Sequence, residues 1–148
     1  MSFKYSPVKS VLLKGTLKSN SDQTIIYKLC PINEFSEGIW NLSIQSLSYS
    51  VTRNQNNIND LFSVSCNVIK GQKLSESNEV ENYNQPLCMF VINNLPNQSQ
   101  RNIIYFNKQW FHINALSNEV KFEFKNEDNP FFVYESQVTI QVLFQRVI

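Results

Sequence analysis

Glycine occurs only three times and alanine once, at Ala115. Gly15, Gly38 and Gly71 stand far apart, so no Gly-rich turn is available to cradle a phosphate. Histidine occurs once. A Ser-His-Asp or Cys-His site would have to be built on His112, and no serine or cysteine stands in a GxSxG-type elbow. Cys30, Cys66 and Cys88 are odd in number, widely spaced and without CxxC, HxH or HExxH partners, which points away from a disulfide framework and from a metal site and towards buried, reduced thiols. Charge is scarce as well: 13 Lys and Arg face 12 Asp and Glu, for a net of +1. That leaves no basic field for a phosphate backbone and no acidic tail for a basic partner, so specific nucleic-acid binding is not expected. No apolar stretch is long enough to span a bilayer, and Met1-Ser2-Phe3-Lys4-Tyr5 lacks the apolar segment of a signal peptide. The expected product is made in the cytosol and has no membrane span.

What fills the 148 residues is amide, hydroxyl and aromatic. Asn, Ser and Gln together make up about a third of the chain, far above average usage. Hydrophobic residues still reach 42%, with 11 Phe, 6 Tyr and 2 Trp, enough to bury a core and exclude global disorder. Val, Ile, Phe, Tyr and Thr recur in short runs separated by Asn, Ser, Asp and Pro, which is strand-and-turn composition. Alternation is clear at Trp40, Leu42 and Ile44, at Phe62, Val64, Cys66 and Val68, at Val120, Phe122 and Phe124, and at Val138, Ile140, Val142 and Phe144. Each run sets one face inward and the other outward, and the last reads as a central strand. After Ser46 the inward set moves to Leu47, Tyr49 and Val51, as an inserted residue at a bulge would cause.

Further strands are expected at Val11–Leu17, Thr24–Leu29 and Leu87–Ile92. Ile103–Phe106 and Trp110–Ile113 form either a hairpin turning at Asn107-Lys108 or one bent strand. The count is about eight, the number of an antiparallel sandwich. Polar clusters at Arg53–Asp60, Gly71–Pro86, Asn93–Asn102 and Asn126–Pro130 read as loops. Short helical turns are allowed only at Asn33–Gly38 or Asn57–Phe62. No repeat, linker or boundary divides residues 1–148, read as a single domain in which residues 1–10 form an extended arm.

Glu76, Glu79, Glu81, Glu127 and Asp128 fall in those loops. They read as solvated turn residues rather than as the carboxylate pair of a glycosidase. No catalytic residue, metal ligand or cofactor is indicated, and the expected protein is not an enzyme. Amides and aromatics are also what saccharide sites use, with Trp110 and Tyr105, or Trp40, as stacking candidates; Trp40 belongs to an inward set and reads as core.

The runs Gly38–Tyr49, Phe62–Val68 and Gln137–Arg146, with the Asn-rich composition, resemble the single jelly-roll minor capsid (penton) proteins of virophages and of Polinton- or adintovirus-like double-stranded DNA elements. The resemblance implies an all-β, antiparallel eight-stranded jelly-roll sandwich of two four-stranded sheets. It implies a virion protein that self-assembles, a pentamer being favoured, and contacts a double jelly-roll major capsid protein. Virophage pentons as a group are longer, with an upper domain that this chain cannot hold. A neutral, amide-rich surface suits symmetric packing of copies. Candidate assembly contacts are apolar residues that the strand pattern leaves unused: Phe3 and Tyr5 in the arm, and Trp110. The alternatives are a carbohydrate-binding, lectin-like jelly roll and, less favoured by the missing secretory signal, a trimeric ligand domain of the tumour-necrosis-factor type.

Overall fold

A computed structural model describes residues 4–18, 24–28, 38–51, 56–74, 76–98, 101–113, 119–129 and 131–148. These form nine strands and no helix: β1 (Lys9–Lys18), β2 (Thr24–Lys28), β3 (Ile39–Val51), β4 (Ile58–Leu74), β5 (Val80–Asn94), β6 (Arg101–Tyr105), β7 (Phe111–Ile113), β8 (Glu119–Asn126) and β9 (Glu135–Val147). One sheet has the order β1-β9-β3-β6, with β7 also on β3, and the other the order β2-β8-β4-β5. Every pairing is antiparallel. β6 pairs with Ser46–Ser50 and β7 with Trp40–Leu42, in the same direction along β3. They are therefore one interrupted strand rather than a hairpin, and the nine segments fill eight places in a jelly-roll sandwich of two four-place sheets.

The inward parity read from the sequence is the core. Trp40, Leu42, Phe62, Val64, Cys66, Val120, Phe122, Ile140, Val142 and Phe144 are each at most 1% exposed. The bulge falls where the parity change puts it, with the β3–β9 register shifting between Ile44 and Ser46. Leu47, Tyr49 and Val51 thereby stay buried. β9 lies between β1 and β3, a central strand as expected.

Two expectations are corrected. Gly71–Pro86 is not a loop: β4 runs on to Leu74 and β5 starts at Val80, so the two continue as a two-stranded ribbon with Leu74 opposite Val80. The ladder is irregular between Ser65 and Lys70, and β8 pairs with β4 only over Phe62–Cys66, so the ribbon extends past the sandwich. Asn57–Phe62 is not a helical turn either, because Ile58–Phe62 already pairs with Asn94–Phe90 in β5. The other helical candidate has residues 33–37 outside the described residues. Of the ten residues expected as an arm, Lys9 and Ser10 pair with Phe144 and Leu143 in β1. Tyr5 bridges to Val147, and the Ser6 and Ile148 amides donate to Arg146 O and Lys4 O at 2.9 and 2.7 Å.

Cys66 and Cys88 are free thiols, and Cys30 lies outside the described residues. Burial pushes the Cys66 thiol up to about 11, against the opposing pull of the Val68 and Asn67 backbone and the Lys70 charge. Burial alone pushes Cys88 up to about 12. A group whose pKa is raised by folding stabilises the fold fully below its unfolded pKa, and that contribution is lost as pH rises through the folded pKa. Stability is thus expected to hold up to about pH 9 and to fall between pH 9.0 and about 12. Urea midpoints at pH 8 and pH 10.5 check this; Cys88→Ala should flatten the decline, and an unchanged slope in that variant would remove Cys88 as its cause.

Candidate assembly interface

The outward parity of the first sheet is hydroxyl- and amide-rich. Register places Lys14, Thr139, Ser48 and Ile103 in one row and Leu12, Gln141, Ser46 and Tyr105 in the next. Short side chains leave the middle of this face low. Lys14, Ser48, Ser50, Arg101, Gln137 and Thr139 line a depression of about 160 Å3. Side chains bond along its floor and rim: Arg101 Nη2 donates to Ser48 Oγ at 3.1 Å, Ser46 Oγ to Gln141 Oε1 at 3.1 Å, and Gln141 Nε2 to Ser10 Oγ at 2.9 Å. Leu12, Ile103 and Tyr105 flank it and are 62, 54 and 75% exposed.

A second depression of the same size opens at the edge where β6 gives way to β7, lined by Ile44, Leu87, Cys88, Phe106 and Phe111 among others. Trp110 stands beside this break. It is half-buried rather than free, with Lys108 Nζ 4.8 Å from its ring centroid. Tyr5 is 51% exposed on the opposite edge of the same sheet, and Phe3 lies outside the described residues. The sequence-predicted contacts therefore do not gather into one patch. Nor does a sugar-stacking platform assemble around Trp40, which is 1% exposed in the core.

Sequence reasoning missed the ribbon. Its end carries Leu74 and Val80, 69 and 63% exposed and paired across the two strands, next to a turn containing Glu76, Ser77, Asn78 and Glu79. Asn78 takes φ 62° there, a left-handed conformation that Asn tolerates. Gly71 faces Tyr83 across the ladder, and a Cβ at Gly71 would stand 2.7 Å from Tyr83 Cε1. The ring thus lies over the glycine and covers a ribbon that has no sheet behind it. Gly71→Ala should push this ring aside and loosen the ribbon, speeding trypsin cleavage after Lys70, while changing global stability by less than about 1 kcal/mol. Cleavage at the wild-type rate would show that the ring does not hold the ribbon.

His112 is exposed on the outward face, its Nδ1 2.9 Å from Asn41 Oδ1. Among the described residues no three His, Cys, Asp or Glu side chains come together as a metal-ligand set. No helix among them is long and apolar enough to cross a membrane.

Two antiparallel sheets running β1-β9-β3-β6/β7 and β2-β8-β4-β5 make an eight-place jelly-roll sandwich. The chain is similar in fold to the crystal structure of the mavirus penton protein, with a TM-score of 0.51 at 9% identity, over 95% of this chain and 100% of that one. Its fold is penton-like. Neither a family profile nor a curated protein sequence matches.

Proposed function

We propose that this protein is a structural component of a virion, a penton-like minor capsid subunit that self-assembles and contacts a major capsid protein. The observation that carries the reading is the likeness in fold to the mavirus penton protein along nearly the whole chain. Residues 1–148 are taken as one jelly-roll domain. The exposed apolar residues support an assembly role: Leu12, Ile103 and Tyr105 on one sheet face, Leu74 and Val80 at the ribbon end, and Phe131 and Val133 in the segment before β9 are each more than half exposed. Isolated exposed apolar residues are ordinary, but groups on a neutral surface are what interfaces between copies use. Tyr5 and Trp110, on opposite edges of one sheet, suit a head-to-tail contact in which different patches of neighbouring copies meet and a ring closes. The pentamer is the favoured ring.

Size-exclusion chromatography with light scattering tests the reading. A discrete oligomer, and its co-purification with a co-expressed double jelly-roll protein from the same genome, is the expected result. A strict monomer at high concentration that ignores the co-expressed protein would overturn it.

A further inference from the structure

We infer that the end of the β4–β5 ribbon of one copy docks in the Lys14–Arg101 depression of a second copy. The inference rests on the self-assembly reading above and specifies its contact. Charge on this chain is nearly balanced at +1, yet it is not evenly spread. The outward residues of β1, β6 and β9 include Lys14, Lys18 and Arg101 against one acid, Glu135, which pairs with Lys18 at 3.3 Å. Residues 74–80 at the ribbon end carry Glu76 and Glu79 and no cation, while Glu81 lies opposite Lys73 in the ladder behind them. The two surfaces are therefore opposite in sign, and complementary potentials select orientation and partner.

Their apolar parts match as well. The ribbon end presents the cross-strand pair Leu74 and Val80, and the depression is flanked by Leu12 on one side and Ile103 and Tyr105 on the other. Its hydroxyl floor, Ser48, Ser50 and Thr139, can donate to a carboxylate that the two cations attract. Reach is sufficient. The regular ladder from Lys70–Asn84 to Leu74–Val80 extends about 13 Å at roughly 3.3 Å per residue, and the turn lies beyond it. A ribbon on one copy and a sheet face on the next make a heterologous contact, which closes into a ring when the rotation permits.

Sedimentation velocity on the full chain tests the contact with reciprocal charge swaps. K14E/R101E and E76K/E79K should each weaken association about tenfold or more, since each sets like charges against each other. The four substitutions in one chain should restore association, which a merely misfolded variant would not do. Wild-type association should also weaken as salt rises from about 50 mM to about 500 mM. If the wild type assembles and both charge variants assemble equally well, or the four-fold variant stays as weak as its parents, the copies meet elsewhere and this contact is wrong while self-assembly stands. A wild type that sediments as a monomer at about 1 mM removes self-assembly itself, and the contact with it.

Discussion

Phe62→Ala is expected to lower the unfolding free energy by about 3–5 kcal/mol, the largest loss from any single substitution argued for this chain. Phe62 is fully buried in the first part of β4, paired with β5 on one side and with β8 on the other. Its ring stacks on that of Phe90, its direct cross-strand partner, at 5.5 Å and 18°, and meets Phe132 edge-on at 5.6 Å. Phe90 in turn meets Phe124 edge-on at 6.2 Å and Tyr49 at 6.2 Å. Truncation removes the ring that joins the second sheet to the segment before β9, and a strand fixed on both sides cannot collapse into the space. A domain of this size loses roughly 2–4 °C of melting temperature per kcal/mol, so a drop of about 10 °C is expected. Leu12→Ala, on the exposed face, should change stability by less than about 0.5 kcal/mol. Thermal and urea unfolding of the two variants check the contrast, and a Phe62→Ala loss under about 1.5 kcal/mol would mean that the aromatic cluster repacks.

Strands that cover the core were legible because one of their faces is dry and the other wet. Val120, Phe122 and Phe124 alternate with Lys121, Glu123 and Lys125, and burial alternates with them. The same rule explains the miss at Gly71–Pro86. A ribbon beyond the sandwich buries neither face, so Gln72, Glu81, Asn82 and Asn84 give no period-2 signal and read as a loop. The β6–β7 break was ambiguous for a different reason, since polar residues interrupt a hairpin and a bent strand alike. Register decides it: residues 43–45 of β3 face residues 106–110, and the extra residues bulge outward without reversing the chain.

The candidate interface was less legible than the fold. In Val11-Leu12-Leu13 only one parity can face the core, and nothing local says that Leu12 is the residue left outside. Lys14 and Arg101 are 87 positions apart in sequence and meet one depression only because β9 and β3 lie between their strands. Trp110, expected to be free for a contact, is half-buried with the Lys108 ammonium 4.8 Å from its ring centroid, a contact at i and i+2 that composition does not reveal.

Asp60→Ala is the second large loss, about 2–4 kcal/mol, and it comes from a polar group in a core parity. Asp60 lies between Ile58 and Phe62 on the inward side of β4, where a carboxylate persists only with donors around it. Tyr134 Oη donates to Asp60 Oδ2, and Asn126 Nδ2 donates to the same oxygen at 3.0 Å. Asn126, itself 3% exposed, accepts the amides of Asp128 and Asn129 on Oδ1 at 3.1 and 2.8 Å. Asp128 Oδ2 takes the Leu61 amide at 2.9 Å, and the Glu127 amide donates to Leu61 O at 2.8 Å. The chain is thus folded back onto the start of β4, which delivers Phe132 into the core beside Phe62. Removing the carboxylate leaves the Tyr134 hydroxyl and the Asn126 amide without their acceptor. Asp60→Asn, which keeps one acceptor oxygen, and Tyr134→Phe, which removes one donor, should each lose only about 1 kcal/mol. Burial foremost, then the bond to Asp60 and its charge, hold the Tyr134 phenol well above its ordinary range; Asp60→Asn removes the charge, so the phenol should ionise at lower pH. A double-mutant cycle over Asp60 and Tyr134 should return a coupling of about 1 kcal/mol or more. Additive losses, with the phenol titrating as before, would mean that the segment is held by Phe132 alone.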